Sequence, residues 1–352
     1  MFLDIETYNE LEAEARGEVG LGQISAFRTK TFEDYGVETK VTEESQLIRY
    51  ADFIHTDNLL ERLEGGKFFR ASPVRTDYTI FEVTLLLQIA AEVGEVTKKM
   101  CGRSVRPHFN FLAAMGHYRV LDAIARYSGK DQLSIFEVGP GCGYVGVLAG
   151  LRGHRYASYD VTQSFYLWQN RILNHFFEDE FTEFAGKLGN DLTSSTRMAH
   201  YPWWHFMEMF RDCPIEADVI WSNANLGEMD TLSLRYMLRL SRIMLSKSET
   251  ALIVYGNIGA PHHNSVTSIE EEFEKAGFRR VLKNNVHGFT LVDHDPPADL
   301  ISAMEVEIPL IEEKPGIRLL SPTDFIDFRR DSLPADFDFV SFLGDWPKLS
   351  LD

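Results

Sequence analysis

The chain has 352 residues, 44% hydrophobic and 25% charged, which is the balance of a globular protein that buries a sizeable core. This length suits either two domains or one elaborated α/β domain. Lys and Arg total 35 against 53 Asp and Glu, so the net charge is −18. That charge argues against nucleic acid and anionic membrane surfaces as partners, because both are bound through clustered Lys and Arg.

The three cysteines, Cys101, Cys142 and Cys213, are odd in number and form no CxxC pair. They indicate neither a disulfide framework nor a cysteine zinc site, so a reducing compartment, the cytoplasm, is expected. Residues 1–6 carry two acids and no basic segment, so no signal peptide is expected. No apolar run reaches the roughly 20 residues that span a bilayer.

Residues 1–130 are predicted to form a mainly helical region on the acceptor side. Apolar residues recur at helical spacing over residues 79–93 and 109–127. A polar break that contains a glycine, residues 128–131, then ends this pattern.

From residue 131 to residue 297 predicted strands alternate with predicted helices. Strands are expected at 133–138, 154–160, 217–222, 250–255, 278–282 and 289–293, and helices at 144–151, 163–177, 231–245 and 265–276. This alternation predicts βαβ units and a mostly parallel sheet. Residues 298–352 form a C-terminal extension with an edge strand expected at 303–310. The extension either covers the active site or contacts a second subunit in a homodimer.

A glycine-rich loop follows the first predicted strand, with Glu137, Gly139, Gly141 and Gly143 at alternating positions. Glycines there permit backbone angles closed to other residues and let a ligand approach the main chain. The segment from Gly141 to Gly146 matches the GxGxxG dinucleotide fingerprint. The segment from Glu137 to Gly143 instead matches acid-x-Gly-x-Gly-x-Gly, the loop of methyltransferases that use S-adenosylmethionine (SAM). The acid on the strand and the two short strands that end the sheet favour the second interpretation; a tight structural turn is the third.

Polar side chains follow two further predicted strands. Asp160 lies 21 positions after Gly139, a spacing at which an acid accepts hydrogen bonds from ribose hydroxyls. Its alternative role is the N-cap of the next helix. Asn223 and Asn225 follow the strand at 217–222, at the carboxyl edge where open α/β sheets bind ligands. Their amides either meet the methionine part of the cofactor or form an Asx turn.

Residues 223–229, Asn-x-x-x-x-Glu-Met, resemble a motif of the sugar O-methyltransferase family. That family pairs this motif with an E-I-G-G-G-Y-G-type loop, a second strand that ends in an acid, and a Ser-Pro-Val segment, here residues 72–74. The resemblance covers residues 72–292, and it departs from the family at Pro140 and Cys142 and in the C-terminal extension.

The resemblance implies a Rossmann-like class I methyltransferase fold, with a mostly parallel seven-stranded sheet at residues 131–297. It implies SAM as the cofactor and a hydroxyl of a sugar or of a sugar-containing small molecule as the methyl acceptor. Three other functions stay open: a methyltransferase for another small-molecule acceptor, a non-catalytic SAM-fold module and an NAD-dependent oxidoreductase.

A sugar hydroxyl has a high pKa, so the reaction needs a general base or a metal. His262 and His263, just past the strand at 250–255, are the candidate bases; their alternative is a pair of solvent-exposed loop histidines. His287 and His294, which flank the last strand, are weaker candidates. Glu228 holds the acceptor hydroxyl, accepts its proton, or caps the helix that begins near Asp230.

No metal is expected, because Asp191, Asp218 and Glu228, the conceivable ligands, lack the tight spacing of a metal motif. The aromatic segment at residues 201–206 suits a sugar or adenine face, or the packing of a covering helix. Residues 72–78 are a candidate lid over the site.

Overall fold

The N-terminal part of the chain is helical in the computed structural model, which describes residues 3–18, 39–52, 80–105, 107, 109–186, 196–209, 213–256, 265–283 and 286–310. Its helices are α1 (Ile5–Glu18), α2 (Glu44–Leu47), α3 (Ile80–Cys101) and α4 (Phe109–Tyr127), with a 3-10 turn at Ile48–Asp52. The helical pattern predicted before residue 130 is therefore found in the part that is described.

Strands and helices alternate after α4, as predicted. The strands are β1 (Ser134–Val138), β2 (Arg155–Asp160), β3 (Phe181–Glu183), β4 (Met198–Pro202), β5 (Val219–Ser222), β6 (Leu252–Tyr255), β7 (Phe278–Lys283) and β8 (His287–Leu291). The helices are α5 (Tyr144–Leu151), α6 (Gln163–Phe177), α7 (Trp203–Glu208), α8 (Thr231–Leu245), α9 (Val266–Lys275) and α10 (Ala298–Leu310).

The strands form one sheet in the order β3-β4-β2-β1-β5-β6-β8-β7. Every neighbouring pair is parallel except the two pairs that include β8. With the edge strand β3 left out and the rest numbered in chain order, the order is 3-2-1-4-5-7-6. This is the Rossmann-like class I methyltransferase fold, so the predicted fold is confirmed. The sheet has eight strands in the described residues rather than seven, because the short β3 adds to the edge at β4.

The chain reverses its direction of travel across the sheet between β1 and β5. Strands β2, β3 and β4 lie on one side of β1, and β5 to β8 lie on the other. In open α/β sheets ligands bind outside the carboxyl ends of the strands at such a switch point. A ligand site is therefore expected at the loops after β1 and β5.

Two hydrophobic cores lie on the two faces of the sheet. Successive side chains of a strand point to opposite faces, and in β5 the side chain of Trp221 joins one core while that of Ile220 joins the other. The first core includes helices α3 to α6. Helix α6 is buried from Gln163 to Leu173, because α2 and α3 pack against it and Tyr8 of α1 lies against its Tyr166.

The edge strand predicted at residues 303–310 is wrong, because this segment belongs to α10. Leu300 and Met304, four residues apart, are both fully buried, which is the spacing of one helix face. Helix α10 packs against α4 and β7.

The boundaries proposed at residues 130 and 297 stay predictions, and residues 311–352 lie outside the described part. Among the described residues, no helix combines the length and apolar character needed to cross a bilayer.

Candidate functional site

The loop between β1 and α5 has three glycines in the left-handed region. Gly139, Gly141 and Gly143 have φ of +63°, +59° and +75°, which side chains with a Cβ rarely adopt. A Cβ on Gly139 would lie 2.5 Å from Nδ2 of Asn225, whereas a Cβ on Gly141 would meet no atom within 4 Å. The loop thus closes against the β5 side and leaves open space at Gly141, just before the N-terminus of α5.

Glu137, at the penultimate position of β1, is buried beneath this loop. Its Oε2 accepts a 2.6 Å hydrogen bond from the hydroxyl of Tyr156. Burial raises the pKa of Glu137 to about 8, and the nearby Asp160 carboxylate adds to the rise, while the Tyr156 hydrogen bond opposes it. The carboxyl group is therefore largely protonated at neutral pH, and a cation placed near it would favour the carboxylate.

Asp160 ends β2 and is bound to the glycine loop. Its carboxylate accepts hydrogen bonds from Thr162 N at 3.0 Å and from Gln169 Nε2 at 2.9 Å, and the backbone N–H of Gly141 also stabilises it. Burial raises its pKa to about 6 against these hydrogen bonds. The N-cap of α6 is Thr162, so the capping role considered for Asp160 is wrong. The ribose role stays a prediction.

Gln169 is a site residue that motif reasoning missed. Its Nε2 also donates to the carbonyl of Gly141 at 2.6 Å, so one amide joins the loop to Asp160. No motif distinguishes this Gln from its neighbours in the sequence.

Asn225 connects the loops on the two sides of the switch point. Its Nδ2 donates to the carbonyl of Val138, and its Oδ1 accepts a 2.5 Å hydrogen bond from Ser222 Oγ. Ala224 before it has φ of +58°, a conformation that costs energy in a residue with a Cβ. The amide is thus used inside the protein, and direct contact of Asn223 or Asn225 with a cofactor stays a prediction.

Glu228 lies half-buried in the same carboxyl-edge loop. Its backbone N–H donates to the Asn225 carbonyl at 3.0 Å. The N-cap of α8 is Asp230, whose carboxylate accepts from Leu232 N at 2.7 Å and from Ser233 N at 3.1 Å. Asp230, and not Glu228, therefore caps α8. The role of Glu228 at the acceptor stays a prediction.

One predicted residue lies away from this site, and others are not described. His262, His263, Asp191 and the segment 72–78 lie outside the described residues. Asp218 precedes β5 at the opposite edge of the sheet. There its carboxylate accepts hydrogen bonds from Lys130 Nζ at 2.5 Å, from Ser134 N and from Ser248 Oγ. It is therefore not a metal ligand of the site. In the part of the chain that the structure describes, no three His, Cys, Asp or Glu side chains form a group that could hold a metal.

Two sequence features have packing roles. A Cβ on Gly146 would lie 2.6 Å from the ring of Tyr156, so Gly146, the third glycine of the GxGxxG match, lets α5 approach β2. In the aromatic segment, Trp203 and Trp204 are buried in the core that contains α6. For these two residues, the packing interpretation is the one that the structure supports.

His287 begins β8 at the same edge as the end of β6. Its ring stacks on Tyr255 with centroids 4.8 Å apart, and Nδ1 lies 3.7 Å from Glu270 Oε1. Burial lowers the pKa of His287, and Glu270 opposes that shift. Of the four histidines considered as bases, His287 and His294 are the two whose positions are described.

No protein-family model and no curated protein matches this sequence. Solved structures similar to it include a TehB-like SAM-dependent methyltransferase from Corynebacterium glutamicum, at 17% identity over 50% of this chain and 87% of that one, with a TM-score of 0.36. Another is a magnesium protoporphyrin IX methyltransferase from Synechocystis with bound S-adenosylhomocysteine (SAH). It is 9% identical over 53% of this chain and 90% of that one, with a TM-score of 0.33. A third is an O-methyltransferase family protein from Burkholderia thailandensis. It is 10% identical over 51% of this chain and 58% of that one, with a TM-score of 0.33. At such similarity none of their substrates is carried over to this chain.

Proposed function

We propose that the chain is a SAM-dependent methyltransferase that acts on a hydroxyl of a sugar or of a sugar-containing small molecule. The observation that carries the proposal is the glycine loop at the switch point, which leaves open space at Gly141 beside the buried carboxyl groups of Glu137 and Asp160. The acceptor class rests on the resemblance of residues 72–292 to sugar O-methyltransferases.

The residues present fit a cofactor that joins a nucleoside to a cationic amino-acid part. The loop at 137–143 and the loop at 223–230 contain two glutamates and one aspartate but no Lys or Arg. Such loops suit a sulfonium and an ammonium group better than the pyrophosphate of NAD. We assign Glu137, Gly139, Gly141, Gly143, Asp160, Asn223 and Asn225 to cofactor binding.

When bound, SAM supplies an electrophilic methyl group on its sulfonium sulfur. The protein's part is to hold the acceptor oxygen in line with that carbon, and proximity contributes much of the rate. A base must take the hydroxyl proton. We assign this to His262 or His263 and assign Glu228 to holding the acceptor hydroxyl.

Calorimetric titration of the whole chain with SAM, its demethylated product S-adenosylhomocysteine (SAH) and NAD tests the cofactor. We expect binding of SAM and SAH and no heat from NAD. Binding of NAD without either sulfur nucleoside would overturn the proposal in favour of an oxidoreductase. Binding of SAM without methyl transfer to any member of a sugar panel would favour another acceptor or a non-catalytic module.

Single variants His262→Ala, His263→Ala and Glu228→Gln test the catalytic assignment once an acceptor is known. We expect one histidine variant to lose about 10²- to 10⁴-fold in turnover, the usual contribution of a general base, with unchanged SAM affinity. His287→Ala is the comparison. If only that variant loses turnover, the base is His287 and the assignment to the loop histidines is wrong.

A further inference from the structure

Helix α1 lies across the carboxyl ends of β2 and β4. Near its start, Asn9 Oδ1 accepts a 2.7 Å hydrogen bond from Nε2 of Gln163, the first residue of α6 after β2. One turn later Glu12 accepts a 3.1 Å hydrogen bond from Nε1 of Trp203, the first residue after β4. The guanidinium carbon of Arg16 lies 5.0 Å from the Trp203 ring centroid. These contacts hold one face of α1 over the edge where the two strands end.

Tyr8 lies on this face and is fully buried. Its ring centroid lies 5.4 Å from those of Tyr166 and Trp204. Its hydroxyl has no hydrogen-bond partner among the described residues. Burying an unpaired hydroxyl costs free energy, so a ligand atom that accepts a hydrogen bond from it would recover that cost.

The charge of Asp160, the acid assigned to ribose, acts on Tyr8. Burial raises the pKa of Tyr8 well above its ordinary value, and the charges of Glu12 and Asp160 raise it further. The phenol is therefore a neutral donor within electrostatic reach of the acid assigned to ribose. Other buried polar atoms without a partner lie at the start of α6 and along it, namely Thr162 Oγ1, Ser164 Oγ and Gln169 Oε1.

We propose that α1 forms a wall of the nucleoside half of the cofactor pocket and that the Tyr8 hydroxyl donates a hydrogen bond to the bound nucleoside. This inference rests on the proposed function and adds to it a residue from far outside the glycine loop. Tyr8 is in this assignment a binding residue and takes no part in methyl transfer.

The test is Tyr8→Phe, titrated with SAH, adenosine and L-methionine. We expect the Kd for SAH and for adenosine to rise by about tenfold, the loss of one hydrogen bond, and any affinity for methionine to stay as it was. The ligand-free protein should keep or raise its Tm, because the variant removes a buried hydroxyl that has no partner.

Tyr255→Phe is the matched control. Tyr255 is also fully buried with an unpartnered hydroxyl, but it ends β6 on the other side of the switch point. We expect unchanged Kd for SAH and adenosine in this variant. An equal loss in both variants would mean a general packing effect and would overturn the inference.

The outcomes separate the inference from the proposed function. Wild-type binding of SAM and SAH with unchanged affinity in Tyr8→Phe overturns the inference alone. A loss for SAH with adenosine unaffected also overturns it, because the contact would then lie outside the nucleoside. Absence of wild-type binding to SAM and SAH overturns the proposed function. Should Tyr8→Phe fail to fold, Asn9→Ala replaces it, because this variant removes the hydrogen bond between α1 and Gln163. Unchanged adenosine affinity in Asn9→Ala would overturn the inference that α1 forms a wall of the pocket.

Discussion

At the scale of single residues, the notable feature is Glu137, a glutamate of the candidate site whose pKa is raised to about 8 by burial. Glu137 is buried with a single hydrogen bond from Tyr156, which does not offset the loss of water. A cationic ligand beside it would recover the charge, so the same burial that costs stability favours binding of a cation over a neutral group.

This burial predicts a pH dependence of stability that Glu137→Gln removes. The folded pKa of about 8 lies above the unfolded value, so Glu137 contributes stability below the ordinary glutamate pKa that is lost as pH rises towards 8. The slope approaches about 1.4 kcal/mol per pH unit. We therefore expect the free energy of unfolding of Glu137→Gln, relative to wild type, to increase from pH 5 to pH 8 in urea titrations.

Glu272→Gln is the control for this experiment. Hydrogen bonds from Arg235 lower the pKa of Glu272 to about 2, so its charge does not change between pH 5 and pH 8. Its difference from wild type should stay constant over that range. A constant difference for Glu137→Gln as well would show that Glu137 is already ionised in the folded protein.

At the scale of elements, the glycine loop gives a prediction that separates binding from backbone strain. Gly141→Ala places a Cβ in the open space of the proposed pocket, at φ +59°. Gly129→Ala places one in equally open space at φ +67°, in the turn after α4. Both should lose about 1–3 kcal/mol of stability from the left-handed conformation.

Only Gly141→Ala should also weaken SAM binding, because only there does the new methyl group occupy the space of the ligand. Calorimetry at a temperature where both variants are folded measures this, and we expect at least a tenfold rise in Kd for Gly141→Ala. Equal affinities in the two variants would contradict the assignment of the loop.

The elements that the sequence predicted are those with clear periodicity and clear ends. Helices α5, α6 and α8 begin and end at the predicted residues. Strand β4, Met-Ala-His-Tyr-Pro, was missed because it has no β-branched residue and ends in proline. The prediction of a strand at 303–310 was wrong for the opposite reason. The β-branched residues of this segment indicate a strand, and only the packing of Leu300 and Met304 shows that it is a helix.

The residues of the candidate site also fall into those that the sequence could predict and those that depend on tertiary packing. The glycines and Asp160 could be found by spacing, because the turn after β1 and the end of β2 are local features of the chain. Gln169 and Tyr8 could not, because their positions depend on how α6 and α1 pack on the sheet edge. Asn225 was found as a residue of the right loop, but its bond to Val138 depends on the pairing of β1 with β5.

At the scale of the whole molecule, α10 joins the helical N-terminal region to the sheet. It packs against both α4 and β7, so the first turns of the segment assigned to a C-terminal extension belong to the core around the sheet. Leu300 is fully buried in the same core as Trp168 and Trp221. We infer that the methyltransferase fold and the N-terminal helices share stability through this helix.

Leu300→Ala tests that coupling. Removing a fully buried leucine side chain costs about 2–5 kcal/mol, and we expect that loss in urea unfolding monitored by tryptophan fluorescence, with SAM affinity retained in the folded variant. Leu232→Ala is the control, because this leucine is 74% exposed and its loss should change stability by less than about 0.5 kcal/mol. A small effect of Leu300→Ala would mean that α10 is only loosely attached, and the N-terminal helices would then be joined to the sheet through the packing of α4 on α5 instead.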